Sequence, residues 1–255
     1  MKVFCVLLLF SIVVTGQEAP EFEKRTFSKD GFQMPYRILF PQDFDKDKKY
    51  PLILFLHGSG ERGNDNEAQL VHGSSLFTAA DFRKQHPAIV VFPQCASESS
   101  WAQIEVNGDF PDREFIFFEK GEPTQQMELL EGLLKYLKKT YRLDKNRMYV
   151  GGLSMGGIGT FELVRRNPKM FAAAFPICGG ANPAIAPKLK RPVWWVFHGD
   201  DDKVVPEKCS ADIVTAMGQQ KVEVKYTVYP GVGHNSWDNA FAEPDLMNWL
   251  FAQTR

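Results

Sequence analysis

Arg147-Met148-Tyr149-Val150-Gly151-Gly152-Leu153-Ser154-Met155-Gly156-Gly157 decides the reading of this chain. Residues 147–150 are a short run of the kind that fills a buried strand, and Gly157 to Arg166 reads as the start of a helix. Between them stands Gly152-Leu153-Ser154-Met155-Gly156, a Gly-x-Ser-x-Gly turn. A serine on a tight strand-to-helix turn projects its hydroxyl away from the main chain. Glycines beside it avoid collisions between side chains and neighbouring elements. The N–H of the following residue, Met155, is free to face a developing oxyanion. Ser154 is thereby the candidate nucleophile. A pentapeptide this loose also arises by chance, so its partners elsewhere in the chain carry the argument.

The partners follow in a consistent order. Pro192-Val193-Trp194-Trp195-Val196-Phe197 is strongly apolar and ends in His198-Gly199-Asp200-Asp201-Asp202-Lys203. An acidic loop at the end of a buried strand is where a triad acid belongs, with Asp202 favoured and Asp200 and Asp201 as alternatives. Val222 to Tyr229 alternates as a strand and runs into Pro230-Gly231-Val232-Gly233-His234, which places His234 as the base. An imidazole activates the weak serine nucleophile by taking its proton, and a carboxylate fixes the imidazole tautomer. That chemistry asks for no cofactor and no metal. Carboxylate clusters can bind hard cations, but no further ligands accompany the three aspartates. Of the other histidines, His198 is expected to bond within the acid loop and His86 to lie on the surface. His72 has no evident partner.

Pro51 to Leu56 is a continuous apolar run, as in a strand buried on both faces. It leads into His57-Gly58-Ser59-Gly60-Glu61-Arg62-Gly63, the position of a second oxyanion donor, assigned to the N–H of Ser59. The same glycines match a dinucleotide-binding fingerprint, with Asp81 near the place of a ribose-binding acid. That reading fails on context. Asn64-Asp65-Asn66 follows the third glycine, and this is turn chemistry where a helix should open.

Leu56 to Asn66, the Gly-Leu-Ser-Met-Gly-Gly stretch at 152–157 and His198 to Pro206 together resemble bacterial alpha/beta-hydrolases. The nearest group is the secreted esterases and predicted peptidases related to dienelactone hydrolases and carbohydrate esterase family 1, feruloyl esterases included. The resemblance covers nearly all of the chain after its N-terminal segment. It implies an alpha/beta-hydrolase fold, a triad of Ser154, Asp202 and His234, and oxyanion donors at Ser59 and Met155. Glu61 and Arg62 are then expected to brace the oxyanion loop. Acyl or feruloyl esters attached to plant polysaccharide are the implied substrates. A serine peptidase acting on small peptides, and a non-catalytic carbohydrate-binding module on the same fold, are the alternatives.

The 255 residues are 44% hydrophobic and 24% charged, enough for one sizeable α/β core. A net charge of −1 gives no sign of nucleic-acid binding, which shows as a basic excess. Residues 1–16 read as a signal peptide: Lys2, an apolar stretch from Val3 to Val14, then Thr15-Gly16. The stretch is too short for a membrane span. The expectation is a secreted or periplasmic protein with a single catalytic domain at 17–255 and no stable membrane anchor. Cys95, Cys178 and Cys209 remain after the leader, so at least one thiol stays free, and the spacing assigns no pair.

Between the motifs, residues 25–40 read as a hairpin, 87–93 as a buried strand, and 124–140 as an amphipathic helix. Ala172 to Ile177 is a further strand, and Asp238 to Phe251 is a closing helix behind His234. Strands alternating with helices predict a mostly parallel sheet covered on both faces. Gln94 to Pro123 is long and weakly periodic and carries Trp101, Phe115, Phe117 and Phe118. A long loop after a strand end predicts a pocket wall, with Trp101 as its substrate contact.

Overall fold

The computed structural model describes residues 21–109 and 113–255. The signal-peptide expectation and Cys5 lie outside those residues. Eight strands form one sheet: β1 (Glu23–Lys29), β2 (Phe32–Leu39), β3 (Tyr50–Leu56), β4 (Ile89–Pro93), and, after a separate pair, β7 (Leu143–Leu153), β8 (Ala173–Ile177), β9 (Val193–Gly199) and β10 (Val224–Tyr229). Their spatial order is β1-β2-β4-β3-β7-β8-β9-β10. The β1/β2 and β2/β4 pairs are antiparallel and the remainder are parallel.

Strand alternation splits the core in two. Leu52, Leu54 and Leu56 of β3 face one cluster while Ile53 and Phe55 face the other. Trp194 and Val196 of β9 divide in the same way from Trp195 and Phe197. This is why those strands read as unbroken apolar runs. One face is covered by α3 (Gln125–Thr140), α4 (Met155–Arg166) and α5 (Lys208–Gln219). In α3, Met127, Leu130, Leu133, Leu134 and Leu137 make the buried stripe. Thr124 caps that helix, its hydroxyl accepting from the Met127 N–H at 3.1 Å. The other face carries α1 (Ser74–Thr78), α2 (Ala80–Gln85), α6 (Trp237–Phe241) and α7 (Leu246–Ala252). No helix of the described residues is long and apolar enough to cross a membrane.

Two expectations are corrected. The closing helix is two helices, α6 and α7, because Pro244 between them lacks the N–H a continuous helix would need. The 94–123 stretch is not structureless: β5 (Ile104–Asn107) and β6 (Glu114–Phe117) pair as an antiparallel hairpin beside the main sheet. Cys95, Cys178 and Cys209 are all free thiols.

Parallel pairing in register brings the carboxyl ends of β3, β7, β8 and β9 to one edge, with Leu56 opposite Gly152 and Leu153 opposite Ile177. The loops leaving that edge carry Ser59, Ser154, Cys178, Asp202 and, after β10, His234.

Candidate active site

Ser154 joins β7 to α4 with φ 53° and ψ −118°, a left-handed conformation that costs a non-glycine residue about 1–3 kcal/mol. The surroundings hold it there. Its N–H donates to Ile177 O at 2.9 Å, and its own carbonyl accepts from the Ile158 N–H at 3.0 Å. A Cβ on Gly156 would lie 1.9 Å from Leu56 O and 2.7 Å from His57 O. The turn therefore seats α4 directly against the end of β3, a fit that only glycine allows.

His234 Nε2 lies 2.9 Å from Ser154 Oγ, and His234 Nδ1 lies 2.7 Å from Asp202 Oδ2. Burial alone would push the Asp202 carboxyl up. Hydrogen bonds from His198, His234 and the Val205 amide overcome that and hold it well below the usual carboxylate range. An ionised Asp202 only accepts, so His234 Nδ1 carries the proton and Nε2 is left to accept from the Ser154 hydroxyl. The structure thus brings Ser154, His234 and Asp202 together across 80 residues of chain.

It also separates the three aspartates. Asp200 Oδ1 accepts from the Gly231 N–H at 2.6 Å, and Asp201 pairs with Lys203 at 2.7 Å on the surface. Only Asp202 turns inward, its side chain fully buried. Its Oδ1 accepts from the N–H groups of Val204 and Val205 at 2.8 and 3.0 Å. The acid and base loops pack main chain to main chain, since a Cβ on Gly199 would lie 2.1 Å from Val232 O. His198 sits on the far side of the carboxylate. Its Nε2 faces Val205 O at 2.9 Å and Asp202 Oδ2 at 3.2 Å, so that nitrogen bears hydrogen. The spacing had placed His198 in the acid loop, but its contact with the acid is visible only in three dimensions.

The loop after β3, where the sequence places a second oxyanion donor, is built on His57, which is 2% exposed. Its Nε2 accepts from the Cys95 N–H at 2.9 Å, so Nδ1 carries the hydrogen donated to Gly58 O at 2.6 Å. Burial lowers its pKa to about 4, so it is a neutral strut at physiological pH. Ser59 follows it, exposed, with its carbonyl accepting from Arg62 Nε at 3.0 Å. Arg62 Nη1 also donates to Ser99 O at 3.2 Å. Glu61 lies against Gly58, with Oε2 buried and lacking a hydrogen-bond partner among the described residues. Ser59, Ser154 and Met155 open on one pocket of ≈ 320 Å³, walled by Ile104, Val106 and Phe115 of the hairpin.

Trp101 does not line that pocket. It is fully buried, donates Nε1–H to His57 O at 3.1 Å, and packs beneath Gly159 of α4. An indole needs both a large apolar site and one acceptor, and the core behind the loop after β3 supplies both. Its expected substrate contact is corrected to support of that loop. His72 has found neighbours as well: its ring packs on Trp237 at 5.0 Å, and Trp237 packs on His234 at 5.4 Å.

Among the described residues, the groups able to converge on a metal are Cys178, Asp202 and His234. Two of these are already bonded to each other. Burial pushes the Cys178 thiol well above its usual range, as does the nearby Asp202 charge, which disfavours the thiolate a metal would require.

Comparison with known proteins bears on the family and the fold. The chain matches the family described as "Putative esterase" over residues 31–248. A solved thermostable esterase is 34% identical and superposes with a TM-score of 0.83, over 92% of this chain and 64% of its own. The CE1 ferulic acid esterase of Anaeromyces mucronatus, solved with ferulic acid, shares the fold at 15% identity with a TM-score of 0.66, over 91% and 92% of the two chains. The bifunctional acetylxylan esterase/xylanase of Neocallimastix patriciarum is 28% identical over 157 residues. That match takes in 61% of this chain and only 20% of the relative. The chain therefore spans about a fifth of that curated relative's length and under two thirds of the thermostable esterase. A mostly parallel sheet flanked by helices, a serine on a strained strand-to-helix turn, and a match over residues 31–248 place this chain in the esterase family, on an alpha/beta-hydrolase fold.

Proposed function

We propose that the chain is a serine carboxylic-ester hydrolase that works through an acyl-enzyme. The observation that carries this reading is the continuous set of hydrogen bonds from Ser154 Oγ through His234 to an ionised, buried Asp202. In this reading His234 Nε2 takes the hydroxyl proton as Ser154 Oγ attacks the ester carbonyl. Asp202 stays ionised and stabilises the imidazolium. The N–H groups of Ser59 and Met155 hold the oxyanion. Collapse of the tetrahedral intermediate expels the alcohol, which leaves with the proton from His234. Water then enters, His234 takes one of its protons, and attack on the acyl carbon releases the acid and restores Ser154. Apart from the ester and the attacking water, every group in this scheme is a side chain or main-chain amide of the protein.

The proposed substrates are acyl or feruloyl esters of plant polysaccharide. Support comes from the relatives' named substrates and from the apolar wall of Ile104, Val106 and Phe115 beside Ser154. The export reading rests on residues 1–16, with 17–255 as the catalytic domain. The test is hydrolysis of methyl ferulate beside 4-nitrophenyl acetate, with Ser154→Ala as control. Cleavage of both esters by the native chain and of neither by the variant is expected. Cleavage of the activated acetate alone would retain the serine chemistry and remove the feruloyl assignment. An equally active variant would overturn the nucleophile.

A further inference from the structure

The pocket at Ser154 has an unbalanced charge. Two arginines, Arg62 and Arg113, line it, and no carboxylate is among the described residues that line it. The rest of the lining is apolar or hydroxyl-bearing. Elsewhere in the fold Arg37 pairs with Glu67, Arg147 with Asp144, and Arg165 and Arg166 with Glu162, while Arg83 and Arg142 are spent on main-chain carbonyls. Neither pocket arginine pairs with a carboxylate among the described residues. Arg62 uses Nε and Nη1 on the carbonyls of Ser59 and Ser99, which leaves Nη2 with no protein partner among the described residues. Arg113 makes no ion pair or side-chain hydrogen bond among the described residues and stands exposed just before β6. It also borders a second cavity of ≈ 360 Å³ beyond the hairpin, so it sits where two cavities meet. In that second cavity the charge turns mixed: Glu114 and Asp212 join its lining, and Lys208 is already paired with Asp212. An anionic group is thus favoured on the Ser154 side of Arg113. The negative charge of Asp202 is offset in part by its hydrogen bonds from two histidines and two amides.

We propose that this pocket selects esters bearing a carboxylate, held by Arg113 together with the free edge of Arg62. The proposal rests on the esterase reading and names its substrate class. A guanidinium fork matches a planar carboxylate with two parallel hydrogen bonds, and the apolar wall accommodates the carbon skeleton between carboxylate and ester. The carboxylate can belong to the acyl part, as in a dicarboxylic monoester, or to the alcohol part, as in an acylated uronic acid.

Two matched pairs test the idea. One is mono-4-nitrophenyl succinate against 4-nitrophenyl butyrate. The other is the acetyl ester of a methyl galacturonoside against that of the methyl galactoside. At least one anionic member should exceed its neutral partner by about tenfold in kcat/KM, through KM, and which pair responds identifies the side that carries the charge. The ratio should collapse in Arg113→Gln, invert in Arg113→Glu, and fade in about 0.5 M salt. Arg113→Lys should retain part of it, since the charge remains and the fork is lost. Neutral partners favoured in both pairs, or a ratio unchanged by Arg113→Gln, would overturn the proposal. If no ester is hydrolysed, the esterase reading fails by itself. Calorimetric binding of mono-4-nitrophenyl succinate and 4-nitrophenyl butyrate to Ser154→Ala then measures the same preference without turnover. Equal affinities there would again overturn it.

Discussion

Replacing His57 with glutamine should make the protein less sensitive to acid. His57 is buried, its Nε2 accepts from the Cys95 N–H, and its pKa is lowered to about 4 from 6.5. Unfolding releases it to its ordinary value, so between those two pH values the unfolded chain binds a proton that the native protein refuses. Stability is therefore full above about pH 6.5 and falls as pH drops towards about 4. A gap of about 2.5 pH units corresponds to about 3.5 kcal/mol at about 1.4 kcal/mol per unit, and about 2.5 kcal/mol of this is lost by about pH 4.5. Asp202 acts in a different window. Its carboxyl is held below its ordinary 3.8, so its contribution is present above that pH and is lost only on further acidification. His86 is also lowered by burial, but it is present in both proteins and cancels in the comparison. A glutamine can accept from the Cys95 amide and donate to Gly58 O, at a pH-independent cost of about 1–2 kcal/mol for imperfect geometry. The assay is urea unfolding of both proteins from about pH 8 to about pH 4.5. The native protein should lose about 2.5 kcal/mol more than His57→Gln across that range, so their difference narrows or reverses in acid. Parallel curves would refute the argument, because they would mean that His57 titrates alike in both states and is not the neutral strut between Cys95 and the loop after β3.

Asp202→Asn should lower kcat by about 10⁴ through loss of the correct His234 tautomer, whereas Asp200→Asn and Asp201→Asn should stay within about twofold, as steady-state hydrolysis of 4-nitrophenyl acetate would show. Gly156→Ala forces a methyl to within 1.9 Å of Leu56 O, and displacing the elbow by about 1 Å should cost about a hundredfold in kcat/KM. Gly218→Ala in α5 meets nothing within 4 Å and should raise stability by about 0.4–1 kcal/mol, read from the urea midpoint. Trp101→Phe removes the hydrogen bond to His57 O at a cost of about 1 kcal/mol, yet should leave the ratio of aromatic to acetyl ester turnover unchanged, because the ring is buried behind the loop after β3.

What could be read in the chain itself was local. Apolar runs such as 51–56 and 193–197 declare buried strands because both faces of a parallel sheet are covered. The stripe of α3 declares a helix by its period, and Gly152-Leu153-Ser154-Met155-Gly156 declares the elbow because only such residues survive so tight a turn. Serine, acid and histidine could then be ordered along the chain. Among Asp200, Asp201 and Asp202 the motif favours Asp202, but three identical side chains in a row leave open which one turns inward. That was decided by the docking of the acid loop on the base loop and by the amides of Val204 and Val205. The same holds for Trp101, whose burial depends on α4 lying over it, and for the strut from His57 to Cys95, which spans 38 residues. Arg62 and Arg113 meet in one pocket only because the hairpin folds back towards the end of β3. Periodicity and turn chemistry act over a few residues and so are written in the sequence; pairings across tens of residues exist only once the sheet has brought its loops to one edge.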